Sequence, residues 1–328
     1  MTEIVGGWGL SHAPGLTAWP QAPSTEVQDR VGRALGRIRD EIADARPDVV
    51  VAFLDDHFDN HYRRLMPTFA LGVADEHWGP AEQYVEMLGV GSRRPIPSNA
   101  AVAQALLTGL LRAGFDVARM GSIDYGNNFM VPWHLVGPTA PLAVIPVFIN
   151  VFSPPLPKPL RVYELGRAVR EALGPEAGRV AFMATGGLSH WPPIWNERSD
   201  PDDAFLQRMQ RYQTEGHHVL TDDPHLLSDL GEYEIEMART STRPLVNERW
   251  DRAFLDAFGR HDLEVIAALD WRSVEADAGH GANEILNWIA LMGAVGPVEV
   301  DVLLYEPSVE WITGVAFASA GAEKEAVK

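Results

Sequence analysis

The chain of 328 residues contains no cysteine. That absence removes disulfides, thiolate metal sites and cysteine nucleophiles together, and leaves any metal to His, Asp or Glu. Basic residues are scarce as well: 27 Lys and Arg stand against 45 Asp and Glu, for a formal net charge of -18. Such an excess of negative charge argues against nucleic acid and anionic membrane surfaces as partners. No apolar run approaches the ~20 residues of a membrane-spanning helix. The opening Met1-Thr2-Glu3-Ile4 lacks the basic segment that starts a secretory signal, so the expectation is a cytoplasmic protein. Low-complexity tracts and structural repeats are missing too.

What is present is the composition of an ordinary globular protein, 46% hydrophobic and 22% charged, long enough to bury a substantial core. Apolar, strand-like runs alternate with amphipathic, helix-like stretches. This pattern predicts a single catalytic α/β domain over 1–328, with a central, mostly parallel or mixed β-sheet flanked by helices and a metal site at strand ends. The small-residue and charged stretch from Ala316 to Lys328 is expected to fray.

One hexapeptide occurs twice. Gly9-Leu10-Ser11-His12-Ala13-Pro14 recurs as Gly187-Leu188-Ser189-His190-Trp191-Pro192 with one residue changed. Each copy follows an apolar run, Ile4 to Leu10 and Val180 to Ala184, and reads as a strand entering a Gly/Ser/Pro turn. In an open α/β sheet a strand end holds a side chain rigidly at the rim of a crevice, while the loop beyond leaves it reachable. Simple turn chemistry accounts for one copy; two copies favour function.

Between them, the spacing of Val27, Val31, Leu35, Ile38 and Ile42 predicts a helix from Thr25 to Ala45, with Thr25 and Gln28 as a capping box. The run from Asp48 to Leu54 predicts a strand covered on both faces, and Asp55-Asp56-His57-Phe58-Asp59-Asn60 follows at once. Charge at the edge of a core needs a reason. One reading is a solvated turn. The other makes His57 a metal ligand whose imidazole is oriented by Asp55 or Asp56. Further on, a helix is expected from a Ser98 cap to Arg112, then a strand from Phe115 to Met120. A strand from Leu142 to Val151, a helix from Val162 to Leu173 and another from Asp202 to Leu220 follow. The interval through Asp229, with His217, His218 and His225, carries little signal, and Arg239 to Arg252 reads as a basic loop.

The last expected element opens at Gly279-His280-Gly281-Ala282-Asn283-Glu284 and continues as a helix to Gly293. Helical spacing puts Asn287, Trp288 and Leu291 on the side of Glu284, so this carboxylate lies on or beside an apolar face. A carboxylate there needs a cation, a metal or a proton, unless it merely meets the helix N-terminal dipole. Histidines at strand ends plus this carboxylate supply two nitrogens and one oxygen, the donor set of a non-haem Fe(II) facial triad with room for a vicinal diol and dioxygen. The same donors also hold zinc for hydrolysis.

Taken in order, Ser11-His12-Ala13-Pro14, Asp55-Asp56-His57, Thr185-Gly186-Gly187-Leu188-Ser189-His190 and Gly281-Ala282-Asn283-Glu284-Ile285-Leu286-Asn287-Trp288 span nearly the whole chain. Together they resemble the class III extradiol ring-cleavage dioxygenases of the protocatechuate 4,5-dioxygenase β-subunit type. The resemblance implies Fe(II) held by His12, His57 and Glu284, with His190 as an acid/base residue that is not a ligand. It implies insertion of both atoms of O2 into a catecholic, lignin-derived ring of the protocatechuate, gallate or methylgallate type. Asp55, Asp56, Tyr125 and Ser189 are the expected supporting or substrate-contacting residues. Many relatives carry Asp-His-Gly where this chain reads Asp124-Tyr125-Gly126, and a tyrosine can donate a hydrogen bond but cannot become an imidazolium. A carboxylated substrate needs a cation, for which Arg64, Arg93, Arg94 and Arg243 are candidates. The resemblance further implies a homo-oligomer or a separate small subunit, since the chain has no room for the extra C-terminal domain of gallate-cleaving relatives. A zinc hydrolase and a non-catalytic binding protein of the same fold are the alternatives.

Overall fold

The computed structural model of the protein describes residues 2–321. Its strands are β1 (Glu3–Leu10), β2 (Val49–Leu54), β3 (Phe69–Gly72), β4 (Glu76–Gly79) and β5 (Arg94–Pro97), followed by β6 (Ala118–Met120), β7 (Ala143–Ile149), β8 (Arg179–Thr185), β9 (Val300–Ser308) and β10 (Thr313–Ala320). Eight of them form one sheet in the order β6-β3-β7-β2-β8-β1-β10-β9, and β4 pairs with β5 apart from it. At its centre β7, β2, β8 and β1 run parallel, while β3 and β10 run antiparallel to their inner neighbours. The sheet is mixed with a parallel centre, in agreement with the sequence. β2 is buried along its whole length, as a parallel strand between two helical layers must be.

The alternation of side chains along β1 reveals those two layers. Trp8 points to one face, where its indole Nε1 donates to Glu41 of helix Thr25–Ala45 at 3.0 Å. Gly7 and Gly9 face the other layer, where a Cβ would stand 2.6 Å from Val295 and Trp288 of helix Ile285–Val295. These two glycines let the helix lie close against the strand. Every residue of that helix is buried, so it is apolar all round rather than amphipathic, the signature of a core helix. It packs in turn on helix Pro159–Ala172. There a Cβ at Gly293 would collide with the Tyr163 carbonyl oxygen, and one at Gly166 with that of Ala290.

Several expected elements shift for local reasons. Ser24 caps helix Thr25–Ala45, accepting from the Val27 N–H at 3.4 Å, while Gln28 reaches the Gln21 and Pro23 carbonyls, so no Thr25/Gln28 box forms. Asn99 rather than Ser98 caps helix Ala100–Arg112. The stretch after Leu220 holds a further helix, Leu226–Thr240, and the basic interval runs into helix Glu248–Gly259. Organisation does not end at Gly293, because β9 and β10 form an antiparallel pair beside β1. Residues 316–320, expected to fray, belong to β10 and are buried. Backbone pairing on both edges of β10 holds small side chains that, by composition, read as a solvated tail. The rest of that expected tail, 322–328, lies outside the described residues.

Candidate metal centre

The carboxyl ends of β2, β8 and β1, adjacent in the sheet, carry the loops of His57, His190 and His12. The two hexapeptides are not equivalent in space. Leu10 pairs opposite Thr185, so His12 follows its strand end by two residues and His190 by five. The same six residues therefore deliver one histidine into the donor group and the other beside it. Glu284 immediately precedes helix Ile285–Val295, with no side-chain bond to cap it, and completes the group.

His12, Asp55, His57 and Glu284 each offer one donor atom, and these atoms all lie within 4.8 Å of one another. His12 Nε2 is 3.2 Å from Glu284 Oε2, and His57 Nε2 is 3.4 Å from Glu284 Oε1. His57 Nδ1 donates to the amide oxygen of Asn127 at 2.7 Å, which puts the ring proton there and leaves the Nε2 lone pair facing the centre. Asp55 Oδ1 accepts from Asn287 Nδ2 at 2.8 Å. Asp55 Oδ2 forms no hydrogen bond, although it is buried 2.8 Å from His57 Nε2. A buried carboxylate oxygen against an imidazole lone pair is the local chemistry of two donors sharing a cation, so the residues fit a divalent metal.

The first turn of helix Ile285–Val295 is latched to the strand ends. Asn287 Nδ2 also donates to the Thr185 carbonyl at 2.7 Å, and Trp288 Nε1 to the Gly186 carbonyl at 3.1 Å. Gly187 N–H donates to Glu284 Oε2 at 2.5 Å, and Thr185 Oγ1 lies 3.2 Å from His12 Nδ1. Burial alone would raise the Glu284 carboxyl, but His12 and His190 hold it well below the usual carboxylate range. Burial alone would lower His57, yet the carboxylates of Asp55 and Glu284 keep its imidazole well above the ordinary value.

His190 stands beside this group rather than in it. Its Nδ1 donates to the Leu188 carbonyl at 2.8 Å, leaving Nε2 to face Glu284 Oε1 at 3.5 Å. Burial would pull the ring down, but the charge of Glu284 and the Leu188 carbonyl raise it. All four of His12, His57, His190 and Glu284 line a cleft of about 90 Å³ whose walls are largely apolar, among them Trp19, Phe58, Phe152 and Ile194.

The other expected site residues are elsewhere. Asp56 accepts from the backbone N–H groups of Asn60 and His61, and so shapes the loop after His57 rather than orienting its ring. Ser189 Oγ donates to Asp251 at 2.8 Å and accepts from Asn247 N–H, securing the His190 loop from behind. Tyr125 does not line the cleft. Its ring is fully buried 4.2 Å from Phe129, and burial holds its hydroxyl well above the usual phenol range. None of the four arginines lines the cleft either. Arg93 pairs with Asp124, Arg94 donates to the Val90 and Ser92 carbonyls, Arg64 is exposed, and Arg243 borders a separate surface groove. His217, His218 and His225 lie outside both cleft and donor group. Sequence reasoning gave Asn127 and Asn287 no role of their own, and it placed Asp55 among the supporting or substrate-contacting residues rather than in the donor group.

Residues 6–316 match the family described as the catalytic LigB subunit of aromatic ring-opening dioxygenase. The chain belongs to this family. A 2,3-dihydroxyphenylpropionate/2,3-dihydroxicinnamic acid 1,2-dioxygenase of Mycolicibacterium gilvum is 32% identical over 318 residues, covering 95% of this chain and 96% of that protein. One of the same name from Rhodococcus is 30% identical over 322 residues, covering 96% and 98%. The LigB-family chain is thus an extradiol ring-cleavage dioxygenase, which sets aside the zinc hydrolase and the non-catalytic binding protein. These relatives bear the dihydroxyphenylpropionate name rather than that of a protocatechuate 4,5-dioxygenase. Among the described residues no helix is long and apolar enough to cross a membrane.

Proposed function

We propose that this LigB-family enzyme uses Fe(II) and both atoms of O2 to open a substituted catechol, with His12, His57 and Glu284 as iron ligands and His190 as the proton carrier. The observation that carries the reading is the convergence of those donors within 4.8 Å at the end of a cleft that His190 also lines. The metal, when bound, acidifies a catechol hydroxyl and brings diol and dioxygen together. Asp55 adds a further carboxylate beside His57. His190 has its Nδ1 proton committed to Leu188, so Nε2 is the atom that accepts the second hydroxyl proton and returns one during ring opening. Asn127 fixes the His57 ring, and the aromatic walls keep water from the reacting centre. The names of the relatives support a catechol substituted next to its diol.

The test is O2 uptake by anaerobically Fe(II)-loaded protein with a panel of catechols, recorded together with the absorbance of the ring-opened product. His190→Ala is expected to keep its iron and lose roughly 10²- to 10⁴-fold in rate, whereas His12→Ala and Glu284→Ala lose the iron itself. Iron retained by both ligand variants overturns the assignment. The solution mass of the same preparation tests the expected homo-oligomer or small subunit.

A further inference from the structure

One face of helix Leu226–Thr240 lines the cleft. Leu227, Leu230, Gly231 and Glu234 all line it, at the i, i+3, i+4, i+7 spacing of a single helical stripe. Apart from the residues of the metal centre, Glu234 is the one Asp, Glu, Lys or Arg in that lining among the described residues. It shares that lining with the apolar side chains of Ile194, Met209 and Met87. Burial pushes its carboxyl up to about 7, against the opposing pull of His190 and His57. Arg63, close in sequence to the His57 loop, lies behind the wall. Its guanidinium sits 4.7 Å from the Trp195 ring and 5.5 Å from that of Phe58, and donates to the Phe152 and Trp195 carbonyls.

A substrate carboxylate on the ring substituent would lose water beside another carboxylate, with no Lys or Arg among the described lining residues to pair it and the histidines engaged with Glu284 and Asp55. We propose that the enzyme takes catechols whose ring substituent is uncharged and apolar, and that Glu234 is the selectivity residue that turns carboxylated catechols away. The inference rests on the dioxygenase reading above and narrows its substrate class.

The test compares a matched pair, 3-propylcatechol and 3-(2,3-dihydroxyphenyl)propionate, on the metal-loaded enzyme at pH 8. Binding is measured by anaerobic titration calorimetry and kcat/KM by O2 uptake. The enzyme is expected to favour propylcatechol by about tenfold or more in both, since like charges are brought together in a poorly hydrated space. Glu234→Gln should narrow that ratio by about threefold or more, and Glu234→Arg, which supplies a cation, should reverse it. Preference of the unaltered enzyme for the acid overturns the proposal. So does a ratio that stays the same in Glu234→Gln with an unchanged melting temperature, a variant conservative enough to decide the matter if the arginine one does not fold. Binding selectivity without any turnover would support the proposal about the substituent while removing the dioxygenase reading. Turnover of both compounds with the acid preferred would do the reverse.

Discussion

At the scale of single residues, the reach of His190 is set by backbone without side chains. A Cβ at Gly281 would collide with its imidazole Nε2, one at Gly279 with its carbonyl oxygen, and one at Gly187 would stand 3.0 Å from its Cε1. With Nδ1 bound to the Leu188 carbonyl, the ring has one orientation left. Gly281→Ala should therefore move the imidazole without touching a proposed iron ligand. Its iron content is expected to match that of the unaltered protein while kcat falls by roughly 10²-fold, the scale of a lost proton carrier. Metal analysis beside steady-state O2 uptake checks it, with Gly36→Ala as control because nothing lies within 4 Å of a Cβ there. Full activity in Gly281→Ala would show that His190 adapts and that the glycine is not what places it. The sequence made His12, His57, His190 and Glu284 legible because each breaks a local rule: a charged or titratable group at a strand end, or a carboxylate on an apolar helix. Asn127 and Asn287 break none. An asparagine near a helix start is ordinary, and its meaning appears only when folding brings it to His57, 70 residues away, or to Asp55, 232 residues away.

At the scale of elements, helix Ile285–Val295 is the part that converts packing into site geometry. Its first turn carries Asn287 and Trp288 against the ends of β2 and β8, and its last turn presses Gly293 on the Tyr163 carbonyl. Neither backbone can yield without moving a helix. Gly293→Ala is expected to cost about 1–3 kcal/mol by overpacking, read by urea denaturation, and to weaken metal binding because Glu284 rides on the same helix. A stability change within about 0.5 kcal/mol, the range of an uneventful substitution, would show that the two helices part freely. The elements that were legible, β2, β7, β8 and helix Thr25–Ala45, carry their period in their own residues. Helix Leu226–Thr240 and β10 do not. The helix mixes Asp229, Glu232, Glu234 and Glu236 into its turns, and β10 is mostly alanine, glycine and serine whose place is decided by the strands on either side.

At the scale of the whole molecule, the proposed metal ties the first strands to the last long helix. His12 follows β1, His57 follows β2, and Glu284 joins them from 227 residues beyond His57. An ion that binds only when these three are together stabilises the fold by mass action, about 2.7 kcal/mol when its free concentration is a hundred times the dissociation constant. For a chain of this size that corresponds to a rise in melting temperature on the order of 5 °C. Chelation followed by anaerobic return of Fe(II) should lower and then restore the melt. The gain should also depend on pH in a definite direction. Nδ1 of His57 keeps its proton on Asn127, so added protons compete with the metal at Nε2, and the neighbouring carboxylates raise the pH at which they do so. Metal stabilisation is therefore full above that raised value and lost as pH falls through it, giving a larger shift at pH 8 than at pH 6. A melt that ignores chelation at both values, with iron verified as removed, would mean that the bonds from Asn127, Asn287 and Gly187 hold the donors in place by themselves and that no metal joins the two ends of the chain.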